Sequence, residues 1–169
     1  MKRREFMVAS AAVTAIPAAT AAAAEAGTGK EYYELRTYKL LPGTKKLMAD
    51  FVKDAEIPAL NRLGAGKVGV FNGLFGGDNS SLYMLIPYPT LEAFATAEAK
   101  LAADSAYQAA GASVLNCPPS SPAYVRLSRQ LFLAFDGMPK LAAPVSGNDR
   151  IFELRCYESH NRERARKKI

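Results

Sequence analysis

The spacing of apolar and polar residues divides the chain between residues 32 and 135 into strand-like and helix-like segments. Alternation with a period of two predicts strands at 32–40, 68–75, 82–88 and 124–135. Apolar residues at intervals of three and four predict a helix after Thr44 and another at 91–103, with a short helical turn at 106–110. Pro58 is expected to break or kink the first helix, and Gly64 is a natural end for it.

The resulting order is strand, helix, strand, strand, helix, strand. This order is typical of the ferredoxin-like fold, an α+β arrangement with a four-stranded antiparallel sheet. Pro42-Gly43 and the Gly-rich segment 76–79 are expected to form turns. A hairpin turn of the length of 76–79 needs residues with positive φ angles. Helices cover one face of such a sheet, so the other face needs a separate cover.

A short motif of the first predicted strand recurs near the end of the chain. Residues 32–38 read YYELRTY and residues 151–157 read IFELRCY. The repetition predicts a domain at 30–137, a Pro- and Gly-containing linker at 138–149, and the start of a second, truncated repeat at 150–169. In the second copy, 151–157 is predicted to be a strand, and Ser159 or Asn161 is expected to cap a following helix.

Six segments together resemble the NIPSNAP family. They are YYELRTY (32–38), EIPALNRLG (56–64), VGVF (68–71), YMLIPYPTLEAF (83–94), LAFDGMPKL (133–141) and RIFELRCYESH (150–160). The resemblance implies a domain of the dimeric α/β-barrel group, in which two ferredoxin-like sheets pack face to face, with tandem repeats in many members. This chain departs from that pattern because most of the second repeat is missing. The resemblance implies no particular reaction.

The N-terminal 26 residues have the features of an export signal. Arg3-Arg4-Glu5-Phe6-Met7 resembles the twin-arginine motif, and a weakly apolar, Ala-rich stretch leads to small residues that offer a cleavage site within 22–27. We therefore expect a periplasmic or otherwise extracytoplasmic protein. The stretch is too polar for a stable membrane span, so none is expected after cleavage.

Charge and cysteine content narrow the classes of function. The net charge of +6 arises from clusters in the leader and in the last eight residues, which leaves no basic stripe for nucleic acid on a folded face. Cys117 and Cys156 could form a disulfide in an oxidising compartment or remain two separate thiols. The only histidine, His160, is expected on a surface helix, and the spacing of His and Cys residues predicts no metal site.

The repeated motif carries the candidate site residues. Alternation places Glu34, Arg36 and Tyr38 on one face of the strand, and Tyr33, Leu35 and Thr37 on the other, which we expect to pack under the helices. The polar face would then line a barrel interior, together with residues of the last strand and of the second copy. The complete candidate set is Glu34, Arg36, Tyr38, Tyr124, Arg126, Glu153, Arg155 and Tyr157. In the last strand, apolar residues are expected in the core, namely Val125, Leu127, Leu131 and Leu133.

Two interpretations of these residues remain open. They could form a pocket for a small anionic or phenolic ligand, with Arg binding a carboxylate and Glu or Tyr moving a proton. Alternatively, Glu and Arg could form ion pairs that fix a sheet–sheet interface, which the repetition in both copies favours.

The chain has no nucleophile elbow, phosphate-binding loop or dinucleotide fingerprint, so no cofactor is predicted. The preferred function is a non-catalytic binding module that forms homo-oligomers through its sheet. The alternative is a small, cofactor-independent, monooxygenase-like enzyme that uses the barrel pocket.

Overall fold

The computed structural model of the protein describes residues 29–75, 79–143 and 150–168. Its strands are β1 (Tyr32–Leu40), β2 (Gly69–Asn72), β3 (Ser81–Tyr88) and β4 (Tyr124–Leu133). Its helices are α1 (Lys45–Phe51), a π-helical segment (Val52–Glu56), α2 (Ile57–Arg62), α3 (Leu91–Ala103), α4 (Ser105–Ala110), α5 (Ala112–Leu115) and α6 (Arg162–Arg166). The predicted leader, residues 144–149 of the predicted linker and residues 76–78 of the predicted hairpin turn lie outside the described residues.

The four strands form one antiparallel sheet in the order β2-β3-β1-β4. This order and the alternation of strands with helices confirm the predicted ferredoxin-like α+β fold. β1 and β3 lie in the centre of the sheet, whereas β2 and β4 form its edges. α3 packs against both central strands, so the helical layer covers the middle of one sheet face.

The first helical region is interrupted where the sequence predicts a break. The π-helical segment directly precedes α2, in which Pro58 occupies the first turn. Proline lacks an amide donor, and its ring clashes with the carbonyl four residues earlier, which is Asp54. The wider π-helical turn relieves this conflict and points Ala55 and Glu56 towards the sheet, where both are buried. Gly64 ends the region with a φ of 81°, as expected for a glycine C-cap.

Several predicted boundaries and caps were wrong. β2 ends at Asn72 rather than residue 75, and β4 ends at Leu133 rather than residue 135. Thr44 lies at the N-cap of α1, but its hydroxyl donates to the Leu41 carbonyl (2.9 Å) instead of capping an amide. By contrast, the Thr90 hydroxyl caps α3 by accepting from the Ala93 amide at 3.1 Å.

The predicted strand at 151–157 does not form. These residues have no regular secondary structure, and most of their side chains are exposed, because no neighbouring strand pairs with them. One contact connects this segment to the domain: the Phe152 ring packs edge-on against Phe71, with ring centroids 5.1 Å apart. The helix predicted after it is present as α6, and the Asn161 side chain caps it by accepting from the Arg164 amide.

The predicted assignment of β1 to two faces was inverted. Glu34, Arg36 and Tyr38 point under the helices and are at most 4% exposed, whereas Tyr33, Leu35 and Thr37 lie on the uncovered face. This row of polar side chains was expected to lie on the sheet face that the helices leave uncovered. It lies under the helices instead, because the π-helical segment and α3 provide carboxylates that pair with it.

The core lies between the sheet and the helices. Its largest apolar members come from α1, α2, α3 and the central strands, and include Met48, Phe51, Leu60, Leu82, Met84, Ile86 and Leu101. The buried polar residues of β1 lie next to this core.

Candidate functional site

A buried group of charged residues lies between the sheet and the helices. Arg36 is its centre and is 3% exposed. Its Nε donates to Glu34 Oε1 at 2.6 Å, and its Nη1 donates to Glu56 Oε1 at 2.7 Å. Its Nη2 donates to Glu34 Oε2 at 3.2 Å and to Glu98 Oε1 at 3.0 Å. One guanidinium therefore binds carboxylates from β1, the π-helical segment and α3, which ties the sheet to both helical regions.

A second arginine closes the group at its edge. Arg129 on β4 lies opposite Arg36 in the sheet, donates to Glu34, and lies 3.1 Å from Glu98. Its guanidinium also lies 5.6 Å from the centre of the Phe94 ring, within the range of a cation–π contact. Arg129 is about a third exposed and Glu98 is more than half exposed, so this end of the group meets solvent.

Two tyrosines complete the hydrogen bonding of the buried carboxylates. The Tyr38 hydroxyl donates to Glu56 at 3.1 Å, and the Tyr88 hydroxyl donates to Glu34 at 3.0 Å. Burial, followed by the nearby carboxylates, raises the pKa of both phenols well above the usual value. Both tyrosines therefore remain neutral hydrogen-bond donors, and neither is prepared to act as a base.

The pKa values of the two buried carboxyl groups, Glu34 and Glu56, are shifted in opposite directions. Although burial opposes ionisation of Glu34, the hydrogen bonds from Arg36 and Arg129 hold its pKa below the usual range. Burial raises the pKa of Glu56 despite its contacts with Arg36 and Tyr38, and the charge of Glu34 contributes further. The two environments shift these pKa values in opposite directions, so Glu34 loses its proton at a lower pH than Glu56 does.

The charged groups of this cluster are one another's hydrogen-bond and ion-pair partners. Glu34, Arg36 and Glu56 are almost fully buried, and each has at least two partners within the cluster. A buried ion pair stabilises a fold only when its geometry is good and further hydrogen bonds satisfy the remaining atoms, as here. The arrangement fits a structural network that joins the layers of the domain.

The structure brings only part of the predicted site together. Glu34, Arg36, Tyr38 and Tyr124 share the interior, and the rings of Tyr38 and Tyr124 meet edge-on at 5.1 Å. Arg126 does not join them. An extra residue, Val125, interrupts the pairing of β4 with β1, so that Tyr124 pairs with Leu40 and Arg126 pairs with Lys39 on the opposite face. The expectation that Tyr124 and Arg126 line the same interior was therefore wrong.

The candidates of the second copy lie apart from this network. Arg155 donates to Glu153 at 2.7 Å and to the Tyr157 hydroxyl at 3.3 Å, and all three side chains are exposed. Cys117 and Cys156 are both free thiols. His160 is exposed and immediately precedes the cap of α6.

Four members of the network were missed from the sequence: Glu56, Tyr88, Glu98 and Arg129. A signal existed for Glu56, because it occupies a position on the apolar side of its helical region, four residues after Val52 and four before Leu60. A charged residue at such a position indicates a buried partner. No comparable signal existed for Glu98, which lies on a mostly polar stretch of α3.

The apolar residues of β4 do not reach the core. Those predicted to be buried are 37–66% exposed, namely Val125, Leu127, Leu131 and Leu133. Leu127 and Leu131 point to the helical side, where they pair with Tyr38 and Glu34, but the helices cover the central strands and leave this edge open. The prediction was wrong because alternation identifies a face without showing how far the helical layer extends over it.

The uncovered sheet face contains a shallow groove of about 340 Å³ at one end. Residues of β1, β3 and β4 line it, namely Thr37, Lys39, Ser81, Val125, Arg126 and Ser128. In the described parts of the chain, no group of three or more His, Cys, Asp or Glu residues could hold a metal ion. No helix within those same parts is long and apolar enough to cross a membrane.

Comparison with known proteins agrees with this architecture. No curated protein is significantly similar to the chain in sequence. A NIPSNAP family protein from Agrobacterium tumefaciens is 21% identical, with a TM-score of 0.54 over 65% of this chain and 90% of the other. A NIPSNAP domain protein from Burkholderia xenovorans is 18% identical, with a TM-score of 0.52 over 64% of this chain and 99% of the other.

A second Agrobacterium tumefaciens protein, described as a NIPSNAP family protein with unknown function, is 18% identical. Its TM-score is 0.52, over 63% of this chain and 90% of the other. At these identities the likeness establishes the fold. The family model described as NIPSNAP matches residues 33–116, which include β1 to β3, the helices between them and the helices up to α5. Residues 33–116 of the chain are therefore similar to a NIPSNAP family domain.

Proposed function

We propose that this chain is an exported, self-associating binding module whose uncovered sheet face and β4 pack against a second copy of the chain. The observation that carries the proposal is the exposure of apolar side chains along β4 and the residues that follow it. They are between 37% and 66% exposed and comprise Val125, Leu127, Leu131, Phe132, Leu133, Phe135 and Met138. A concentration of exposed apolar side chains along one edge of a folded domain marks an interaction surface.

Both faces of β4 contribute to this surface. Leu127 and Leu131 point to the helical side, whereas Phe132 pairs with Tyr33 on the uncovered face. β4 is also an edge strand, so one side of its backbone has no neighbour in the sheet. An edge strand with apolar residues on both faces is prone to associate with another chain, unless a partner covers it.

The uncovered face of the central strands supports the same conclusion. Its side chains include Leu35, Phe71, Tyr83 and Leu85, which are only partly buried. The C-terminal segment reaches this face through Phe152 on Phe71 but leaves Ile151 and Leu154 about three-quarters exposed. Within the described parts of the chain, the C-terminal segment therefore covers only a corner of the face.

A second copy is the partner that fits these features. Two sheets pack face to face with interdigitating side chains, and a two-fold axis presents the same patch from both sides. The face offers a flat sheet of matching size and a mixture of aromatic and aliphatic side chains, as an isologous interface requires. The proposed export rests on the twin-arginine-like leader.

Sedimentation velocity of the full-length chain tests the self-association. We expect a dimer at micromolar concentration, and we expect Phe132→Glu to shift the protein to a monomer, since a charge would be buried at the interface. Leu91→Glu is the matched control, because Leu91 is exposed to a similar degree but lies at the start of α3 in the helical layer.

The control variant should remain dimeric. A monomeric wild type would overturn the proposal, and a Phe132→Glu variant that dimerises as the wild type does would move the interface away from this face. Circular dichroism of each variant verifies that the fold is intact.

A further inference from the structure

The groove on the uncovered face is lined by hydrogen-bond donors from three neighbouring strands. Lys39 in the centre pairs with Ser81 on β3 and with Arg126 on β4, which forms one row across the sheet. Thr37 and Ser128 pair with each other in the next row. Two cationic side chains and three hydroxyls therefore converge on one small area.

A β-bulge creates this arrangement. Val125 is the extra residue in β4, and it lies in the groove wall between Tyr124, which enters the core, and Arg126, which joins the uncovered face. Bulges are frequent next to functional sites because they change the direction of a side chain. Here the bulge also places an apolar wall beside the donors.

The chemistry of the lining selects the charge of a ligand. Lys39 and Arg126 are directly paired on neighbouring strands, so two cationic side chains lie side by side. The side chain of Arg126 makes no ion pair or hydrogen bond with another residue of the described parts of the chain. None of the side chains that line the groove is a carboxylate. An anion placed beside Arg126 would give its guanidinium a partner and would accept hydrogen bonds from the neighbouring hydroxyls.

We infer that this groove binds the oxyanion of a small molecule, either a carboxylate or a phosphate, through Arg126, Lys39 and the hydroxyls of Thr37 and Ser128. The volume of about 340 Å³ falls at the lower end of small-molecule sites. The guanidinium of Arg126 can bind either group with two parallel hydrogen bonds. The inference rests on the proposed function in one respect: a second copy over this face would close the groove into a pocket.

Isothermal titration calorimetry on the full-length chain tests the site. The probes are inorganic phosphate and benzoate, each compared with chloride at equal ionic strength, so that the two sources of the oxyanion are distinguished. We expect saturable binding of at least one probe, and Arg126→Gln should weaken it by roughly tenfold, the loss expected for one charge-assisted pair of hydrogen bonds.

Arg162→Gln is the matched control, because it removes one exposed positive charge on α6 that does not line the groove. This variant should bind as the wild type does, and Ser128→Ala should weaken binding to a smaller extent than Arg126→Gln. The oligomeric state of each sample is measured in parallel by sedimentation.

The outcomes separate the two proposals. Equal weakening in both arginine variants, or no saturable binding by the wild type in any oligomeric state, would overturn the site. A dimer that does not bind either probe would leave the self-association standing and remove the anion site. A monomer that binds a probe through Arg126 would support the anion site and contradict the self-association.

Discussion

At the scale of single residues, Arg36 determines how the helices are attached to the sheet. Its guanidinium is almost fully buried and contacts carboxylates from three different elements. Removal of this cation would leave the buried Glu56 with the Tyr38 hydroxyl but no cation among its described partners, and would leave Glu34 with Arg129 and Tyr88. The residue was expected to act at a surface between two sheets, and its place in the interior changes the expected consequence of its loss from assembly to stability.

Arg36→Leu should destabilise the domain by about 3–5 kcal/mol, because it leaves the buried Glu56 without its cationic partner and removes one of the two arginines that bind Glu34. Arg155→Leu is the control, since Arg155 occupies the same position of the repeated motif but is exposed. It should change stability by less than about 0.5 kcal/mol. Urea unfolding followed by circular dichroism measures both values, and similar losses in the two variants would contradict the structural role assigned to Arg36.

Glu56→Gln should alter how stability depends on pH. Burial raises the pKa of Glu56 above the unfolded value near 4.5, so the folded protein binds more protons than the unfolded chain just above that pH. The contribution of Glu56 is therefore fully present below pH 4.5 and is lost as the pH rises through the folded pKa. The sign is opposite for Glu34, whose lowered pKa gives stability that is lost as the pH falls.

Relative to the glutamine variant, the wild type should lose stability with rising pH above this point, by at most about 1.4 kcal/mol per pH unit. Urea midpoints measured from pH 4 to pH 8 test this slope. Glu153→Gln, which removes an exposed carboxyl group from the second copy of the motif, provides a control whose profile should run parallel to that of the wild type. Parallel profiles for Glu56→Gln would show that Glu56 binds no extra proton in the folded state.

At the scale of elements, the bulge in β4 lets two residues of one strand, Tyr124 and Arg126, point to opposite faces of the sheet. Tyr124 packs against Tyr38 in the core, whereas Arg126 lies on the other face, and regular alternation would place both on the same side. The π-helical segment has a comparable role in the helical layer, where it accommodates Pro58 and directs Glu56 inward. Both irregularities thus place side chains of the buried network and of the groove.

Deletion of Val125 should be tolerated better than deletion of Ser128. Without Val125, Tyr124 can still pair with Leu40, and Arg126 with Lys39, in a regular ladder, so we expect a loss within about 1 kcal/mol. Without Ser128, residues 124–127 shift by one position and Leu127 turns to the wrong face, with an expected loss above about 3 kcal/mol. Thermal unfolding of the two deletion variants compares them, and equal losses would mean that the register is not fixed as described.

At the scale of the whole molecule, the uncovered sheet face contains the proposed anion-binding groove and part of the proposed interface with a second copy. One end of it is basic and rich in hydroxyls, and the apolar side chains of β4 extend from its edge. A second copy would bury the apolar part and enclose the basic part. Assembly and ligand binding would then depend on the same surface but on different residues, as the two sets of variants are designed to show.

The leader predicts that the protein is exported and shortened. Mass spectrometry of the secreted or periplasmic protein should find a new N-terminus within residues 22–27. Replacement of Arg3 and Arg4 by lysine should block export, whereas Lys2→Gln should not, because the arginine pair is the feature that the pathway recognises. A mature protein that still begins at Met1 would contradict the prediction.

The sequence by itself determined the order of elements and hence the fold, because period-two and helical spacings report local backbone geometry directly. β1, α3 and the glycine stop after α2 appear where the pattern placed them. The pattern also identified Glu34, Arg36 and Tyr38 as one polar row of a strand.

Only the tertiary structure decided which way that row points. Alternation is symmetric: it separates two faces without showing which one the helices cover, and a buried position for charges depends on partners far along the chain. Glu56 and Glu98 are those partners, brought to Arg36 by the packing of the helical layer. The extent of that layer likewise decided that the apolar residues of β4 remain at the surface, since the coverage of an edge strand depends on where the helices end in space.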